Sequence, residues 1–357
     1  MADEKRGTQS IFWPILLIGI GIAFLLINLD IIPRPNLLSV LRLWPLILVG
    51  VGLDLIFKSK YPAISPLIAI GVVAGAIVLV AFAPSLGLGA DSELSTERFS
   101  EPVGEANSAR VVLDLARYGT TVDGLADART LIEAELDTLG SIEFEASGTI
   151  EKAIRLRERS EPGISVTFPD FLGELASDAS WQIHLNPDVP LDLTVDVASG
   201  SAALNLENLT LTRLVIDGGS GSTAVTLPAG NSGYDALFDG GSGSFAVAIA
   251  DGADVDATAD TGSGSFTLAI GEAADVSIDI DGGSGRIRIE VPDQAAVRVE
   301  IRDRASGSVS IPSRFDLIDD GGDNDRDTGI WQTEGFDGAE HQIEIVVDPG
   351  SGSFTVS

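Results

Sequence analysis

Asp275-Val276-Ser277-Ile278-Asp279-Ile280-Asp281-Gly282-Gly283-Ser284-Gly285-Arg286-Ile287-Arg288-Ile289-Glu290-Val291 decides the fold. Val276, Ile278 and Ile280 occupy alternate positions before the glycines, and Ile287, Ile289 and Val291 do so after them, so two strands each turn one face inward and one to water. The corner between them recurs along the chain. Its central glycines are Gly200, Gly221, Gly243, Gly264, Gly285, Gly307 and Gly352, at intervals of 21, 22, 21, 21, 22 and 45 residues. A fixed period of this length marks a stack of rungs, each burying its apolar face only against its neighbours. Two strands of about five residues plus two corners fill one rung. The expected C-terminal architecture is therefore all-β, a flattened β-solenoid with rungs of 21–22 residues, the last interval being a double period.

The same alternation appears at Phe245, Val247 and Ile249, at Phe266, Leu268 and Ile270, and at Val297, Val299 and Ile301. Glycine suits the corners because stacked backbones approach closely and a tight bend calls for positive φ. A phosphate-binding loop would need a helix after the glycines, and a strand pattern follows each one. Gly218-Gly219-Ser220-Gly221-Ser222 lacks the last glycine of a nucleophile elbow, and no histidine recurs beside the corners. The serines read as solvent-facing ladders. With 6% aromatic residues and polar faces of Ser, Thr, Asp and Ala, the repeats offer no acid-paired, aromatic-lined cleft for polysaccharide hydrolysis, so no enzyme is expected.

The other end of the chain is apolar. Residues 11–29, 41–57 and 65–82 are three apolar runs read as bilayer-crossing helices, with a re-entrant segment the alternative for the short second run, and the lipid bilayer is thereby a partner. Lys5 and Arg6 precede the first run and Lys58 and Lys60 follow the second, while no base follows the third until Arg98. That bias places the N-terminus inside and the C-terminal region outside the cytoplasmic membrane, although Arg34 and Arg42 oppose it. Asp54 inside the second run is a functional suspect, yet Lys58 four residues on pairs it across one helical turn.

Charge separates the two halves. Residues 1–90 carry six bases and four acids, leaving 16 bases against 49 acids for the remainder. Such a surface repels nucleic acid and attracts cations. No cysteine is present, so disulfides and thiolate metal sites are excluded.

Leu26-Ile27-Asn28-Leu29 and Leu43-Trp44-Pro45-Leu46-Ile47-Leu48 make residues 11–57 similar to the LiaI/LiaF-type transmembrane region of bacterial envelope proteins. Trp181-Gln182-Ile183-His184-Leu185-Asn186-Pro187-Asp188-Val189-Pro190-Leu191-Asp192-Leu193, then Leu204-Asn205-Leu206-Glu207-Asn208-Leu209 and the glycine corners, resemble the toast-rack, adhesin-like β-solenoid. The resemblance implies an envelope protein, in some relatives one that restrains a membrane histidine kinase during cell-wall stress. A stress sensor or regulator acting through another membrane protein, such as a sensor kinase, is the expected role. The alternative is an adhesive or structural surface module with the spans as anchor.

The expected order is a cytoplasmic tail (1–10), the membrane region (11–83), a linker (84–107), an irregular β cap (108–190) and the solenoid (191–357), with an acidic insertion at about 315–340. Within that insertion Asp323, Asp325, Asp327 and Glu334 hold positions one, three, five and twelve of an EF-hand-like calcium spacing. Thr328 stands where glycine is expected and no helices flank it, so a solvated acidic loop is the competing reading. His184 and His341 stand alone in sequence and are expected as ordinary β-surface residues. The final strand, Phe354-Thr355-Val356, is expected to be an open edge that pairs with a second copy or another partner.

Overall fold

The computed structural model describes residues 95–115, 117–138, 140–159, 179–229, 233–303, 306–320 and 328–357, together with isolated positions before residue 95. The three expected spans and the Asp54–Lys58 pair lie outside the described stretches. Among the described residues no helix is long and apolar enough to cross a membrane.

The described β region opens with β1 (Ser95–Pro102), β2 (Ser108–Leu115), β3 (Gly119–Gly124), β4 (Thr130–Thr138), β5 (Ser141–Ser147), β6 (Glu151–Arg159) and β7 (Ser180–Leu185). The middle runs β8 (Leu191–Val197), β9 (Ser201–Asn205), β10 (Leu211–Asp217), β11 (Ser222–Leu227), β12 (Tyr234–Asp239), β13 (Ser244–Ile249), β14 (Asp254–Asp260), β15 (Ser265–Ile270), β16 (Asp275–Asp281) and β17 (Arg286–Glu290). The last part holds β18 (Val297–Ile301), β19 (Ser308–Ser310), β20 (Phe315–Asp319), β21 (Gly329–Thr333), β22 (Ile343–Asp348) and β23 (Ser353–Val356).

In the middle, consecutive strands alternate between two sheets. The even strands form one parallel ladder and the odd strands the other, each strand beside its equivalent one repeat away. Ser222, Ser244 and Ser265 fall in register, as do Val225, Val247 and Leu268. The alternation read from sequence is the observed burial pattern: Phe245, Val247 and Ile249 point inward, and Ser244, Ala246 and Ala248 outward. Phe238 meets Phe245 at a tilt and Phe245 stacks on Phe266 through the core, with centroids 5.7 and 5.9 Å apart, each such contact adding about 0.5–1.5 kcal/mol beyond area burial.

The corner glycines do two different jobs. Gly241 has φ of 55°, and its equivalents Gly219, Gly262 and Gly350 are alike, so these positions supply the left-handed bend. Gly243 does not bend that way. A Cβ there would sit 1.9 Å from the carbonyl oxygen of Gly221 in the preceding rung, so the absence of a side chain permits the stacking itself. The corner backbones bond directly, Ser242 N–H to Gly219 O and Ser263 N–H to Gly241 O, both at 3.0 Å.

At both ends the spatial order departs from the chain order. β18 and β19 do not stack on β16 and β17. The last rung lies between them: β22 pairs with both β16 and β18, and β23 with both β17 and β19, all parallel. The 45-residue interval is thus an excursion and return. The chain leaves one slot empty, lays down β18 and β19, adds the antiparallel β20–β21 pair outside β18, and comes back to fill the slot. At the other end β2 and β3 lie between the later rungs β6/β7 and β8/β9. Antiparallel β4 and β1 then extend one sheet, and β5 the other.

This order corrects the expectation of an open C-terminal edge. β23 is paired on both sides, and Ser357 N–H donates to Ile289 O while Val291 N–H donates to Ser357 O. The strand has no free ladder to offer a second copy. The edge of that sheet is β19, only three residues long, which is one way a sheet limits unwanted pairing. Residues 108–190, expected as an irregular cap, hold β2, β3, β6 and β7 in parallel register with the repeats, and β1 falls within the segment read as linker.

Candidate interaction surfaces

The two outer faces differ in chemistry. On the odd-numbered sheet, the serine sheet, every outward residue of β9, β11, β13 and β15 is Ser, Ala, Thr or Asn, so the face is flat and uncharged over four strands. The even-numbered aspartate sheet is the opposite. Asp114, Asp196, Asp217, Asp239, Asp260, Asp281 and Asp348 form an unbroken cross-strand ladder. Like charges opposed at about 4.8 Å repel. The ladder persists because its carboxylates also build the corners: Asp217, Asp239, Asp260 and Asp348 accept hydrogen bonds from the N–H groups of Gly219, Gly241, Gly262 and Gly350 at 3.0–3.1 Å. Asp196 shows the cost. Burial first, then the charges of Asp217 and Asp114, hold its carboxyl above the usual range.

Beyond β15 the serine sheet acquires charge. Register places Arg286 between Ser265 and Ser353, with Ser308 beyond, and Arg288 between Thr267 and Thr355, with Ser310 beyond. Neither arginine forms an ion pair with another described residue, although most other described arginines of these sheets, among them Arg98, Arg110, Arg157, Arg298 and Arg302, do. An open groove of 740 Å³ runs past Arg286 along the serines of four stacked corners.

Two polar devices hold the N-terminal end. Asn186, fully buried, donates to Ala128 O and Thr130 O at 3.1 and 2.7 Å and accepts from the N–H groups of Asp188 and Val189 at 2.9 and 3.1 Å. The side chain of the Asn-Pro-Asp turn thereby ties β8's approach to the β3–β4 loop. Lys152, 7% exposed, bridges the Glu101 carboxylate and the Pro102 carbonyl, joining β6 to β1.

The two histidines are not solitary. His184 on β7 pairs with Asp123 on β3, and His341, just before β22, bonds Asp275 at the start of β16 at 2.9 Å. Each pair spans rungs where chain order and spatial order part. The hydrogen bond and charge of Asp275 raise the His341 pKa. Asp275 is held low: its partial burial opposes ionisation, but hydrogen bonds from His341 and the Gln342 N–H outweigh it. Sequence spacing could not reveal either pair, because the partners are 61 and 66 residues apart.

Of the calcium set, Asp323, Asp325 and Asp327 lie outside the described residues. Glu334 follows β21, exposed. Among the described residues no group of three His, Cys, Asp or Glu side chains is arranged to hold a metal ion.

Residues 11–56 match the LiaI-LiaF-like transmembrane region. Residues 105–248 match the N-terminal domain of toast_rack, DUF2154, a span that joins β2–β7 to the first three regular rungs in one family unit. No curated protein matches the chain. Among solved structures, a candidate cell adhesion protein of Clostridium sporogenes is 13% identical, with a TM-score of 0.37, over 74% of this chain and 99% of that one. A candidate adhesin of Bacteroides fragilis is 12% identical, with a TM-score of 0.35, over 75% and 99%. The chain is a membrane-associated protein that joins a LiaI-LiaF-like region to a repeat-stranded β domain.

Proposed function

We propose that this chain is a cell-surface contact module, anchored by residues 11–83 with its N-terminus inside, whose β domain lies outside the cytoplasmic membrane and makes contact through the serine sheet. The observation that carries the reading is the separation of charge between the two faces. A chain of net charge −31 is repelled by anionic surfaces and by its own copies, and a broad uncharged face is where it can approach another surface. Flat ladders of small hydroxyl and methyl side chains expose much backbone-proximal area at low side-chain entropy cost. Support for the outside location comes from the basic residues around the apolar runs.

The test places charge on the face. Ala224→Glu with Ala246→Glu, both outward, exposed and paired in register, should abolish attachment of cells displaying the full chain to wall material and to one another, with the fold retained and the melting temperature lowered only slightly by the two opposed carboxylates. Undiminished attachment sinks the reading. Recovery of a membrane histidine kinase with the full chain, through residues 11–83 and untouched by these variants, would replace it with a regulatory role.

A further inference from the structure

We propose that Arg286 and Arg288 form a binding site for a phosphate-bearing polyol or sugar polymer, an inference that rests on the serine sheet being the contact face and names its ligand class. The chain has 53 acids for 22 lysines and arginines, so a base left without an acid partner is set apart by geometry and not by scarcity. Register does this twice. Each arginine projects from β17 between two hydroxyl residues, Ser265 and Ser353 for Arg286, Thr267 and Thr355 for Arg288. Two residues along a strand share a face, about 6.6 Å apart. The patch therefore offers two planar guanidinium forks at the spacing of neighbouring groups on an extended polymer, each flanked by hydroxyls that donate to phosphate oxygens or bond polyol hydroxyls.

The surrounding charges are compatible. Outward neighbours on β15 and β23 are uncharged, and the one acid on β17, Glu290, lies on the same face one pleat beyond Arg288, away from Arg286. The aspartate ladder lies on the opposite sheet, about 10 Å away, on the far side of the glycine corners. The 740 Å³ groove along the serine corners leads a linear ligand to Arg286. A bilayer surface fits less well, because headgroup recognition draws on clusters of about 4–8 bases and this patch has a pair. The site exists only because β23 fills the slot beside β17 and supplies Ser353 and Thr355.

The full chain in phosphatidylcholine nanodiscs, titrated calorimetrically with a glycerol-phosphate oligomer, should bind. Arg286→Gln with Arg288→Gln should weaken that binding by at least about tenfold, the scale of one lost set of charge-assisted hydrogen bonds, at unchanged melting temperature. Arg302→Gln, on the aspartate sheet and paired with Asp279, should leave it intact. The inference is overturned if the double variant binds as tightly as the parent. It is equally overturned if inorganic phosphate, single-stranded DNA or phosphatidylglycerol nanodiscs bind as well at equal phosphate. Attachment that survives charge on Ala224 and Ala246 would refute the contact-face reading without touching this result.

Discussion

The middle of the stack and its two ends are built from the same short alternating strands, yet they follow different rules of order. From β8 to β17 each strand's neighbour is its sequence equivalent one repeat away, so local turns alone dictate the stacking. At the ends the first and last rungs, β2/β3 and β22/β23, are each inserted between rungs that are their neighbours in space and not in sequence. Rungs of one grammar are interchangeable as stacking partners. Long excursions and specific polar ties must then choose among them, and this is where Asn186, Lys152, His184 and His341 are found.

Removing residues 343–357 should have the largest effect. If the last rung were peripheral, its loss would cost only its own share. Because it fills an internal slot in both sheets, truncation should strip β18–β21 of their support, and hydrogen exchange should show the Val297–Ile301 amides losing protection. Retained protection there would restore the simple order.

Phe354, fully buried on β23, should behave like Phe266 in the middle. Phe354→Ala and Phe266→Ala are each expected to cost about 3–5 kcal/mol in denaturant unfolding. A cost near zero for Phe354 alone would make the last rung a loose appendage. Asn186→Ala should cost roughly 2–3 kcal/mol, since four backbone partners around a buried turn lose their bonds.

Asp196 sits where the ladder passes from the inserted β2 to the regular β10, flanked by Asp114 and Asp217. Its raised pKa means that the fold is favoured when it is protonated, and that this advantage is lost as pH rises through the folded value. Asp196→Asn should therefore stabilise the chain at neutral pH by about 0.2–1 kcal/mol, less at high salt, with the gain fading in acid. Equal stability of parent and variant at pH 7 in low salt would remove the ladder's repulsion from the account.

The smallest effect belongs to His341. Its raised pKa contributes stability that is full below the unfolded value of about 6.5 and is lost as pH rises through the folded value. Asp275, held low, contributes above its unfolded range and loses that contribution as pH falls through its folded value. Protection of the Ile343 amide, which opens β22, should decline slightly above pH 6.5 in the parent and stay flat in His341→Gln. An identical slope in both would exclude the pair.

Much of this was legible in sequence because β structure writes its burial at period two. Phe245, Val247 and Ile249 announced an inward face, and the serine corners announced both the repeat length and the outward ladder. The neutral face was not legible as a face. Its neutrality emerges only when Ala203, Ala224 and Ala246 come into line through registers about one repeat apart. The histidine pairs and the arginine patch were hidden for the same reason, since their partners arrive from other rungs.

Sequence by itself determined the strand alternation, the glycine corners, the rung length and the split between an apolar N-terminal region and an acidic β domain, because these depend on side-chain period, backbone freedom and composition. Tertiary structure alone decided which rung lies beside which. Ser308-Val309-Ser310 and Ser353-Phe354-Thr355 carry the same in-out pattern, and either would accept β17 as a neighbour. The pattern sets the face a residue turns to, while the neighbour is chosen by excursions such as β20–β21 and by buried polar contacts that no local period records.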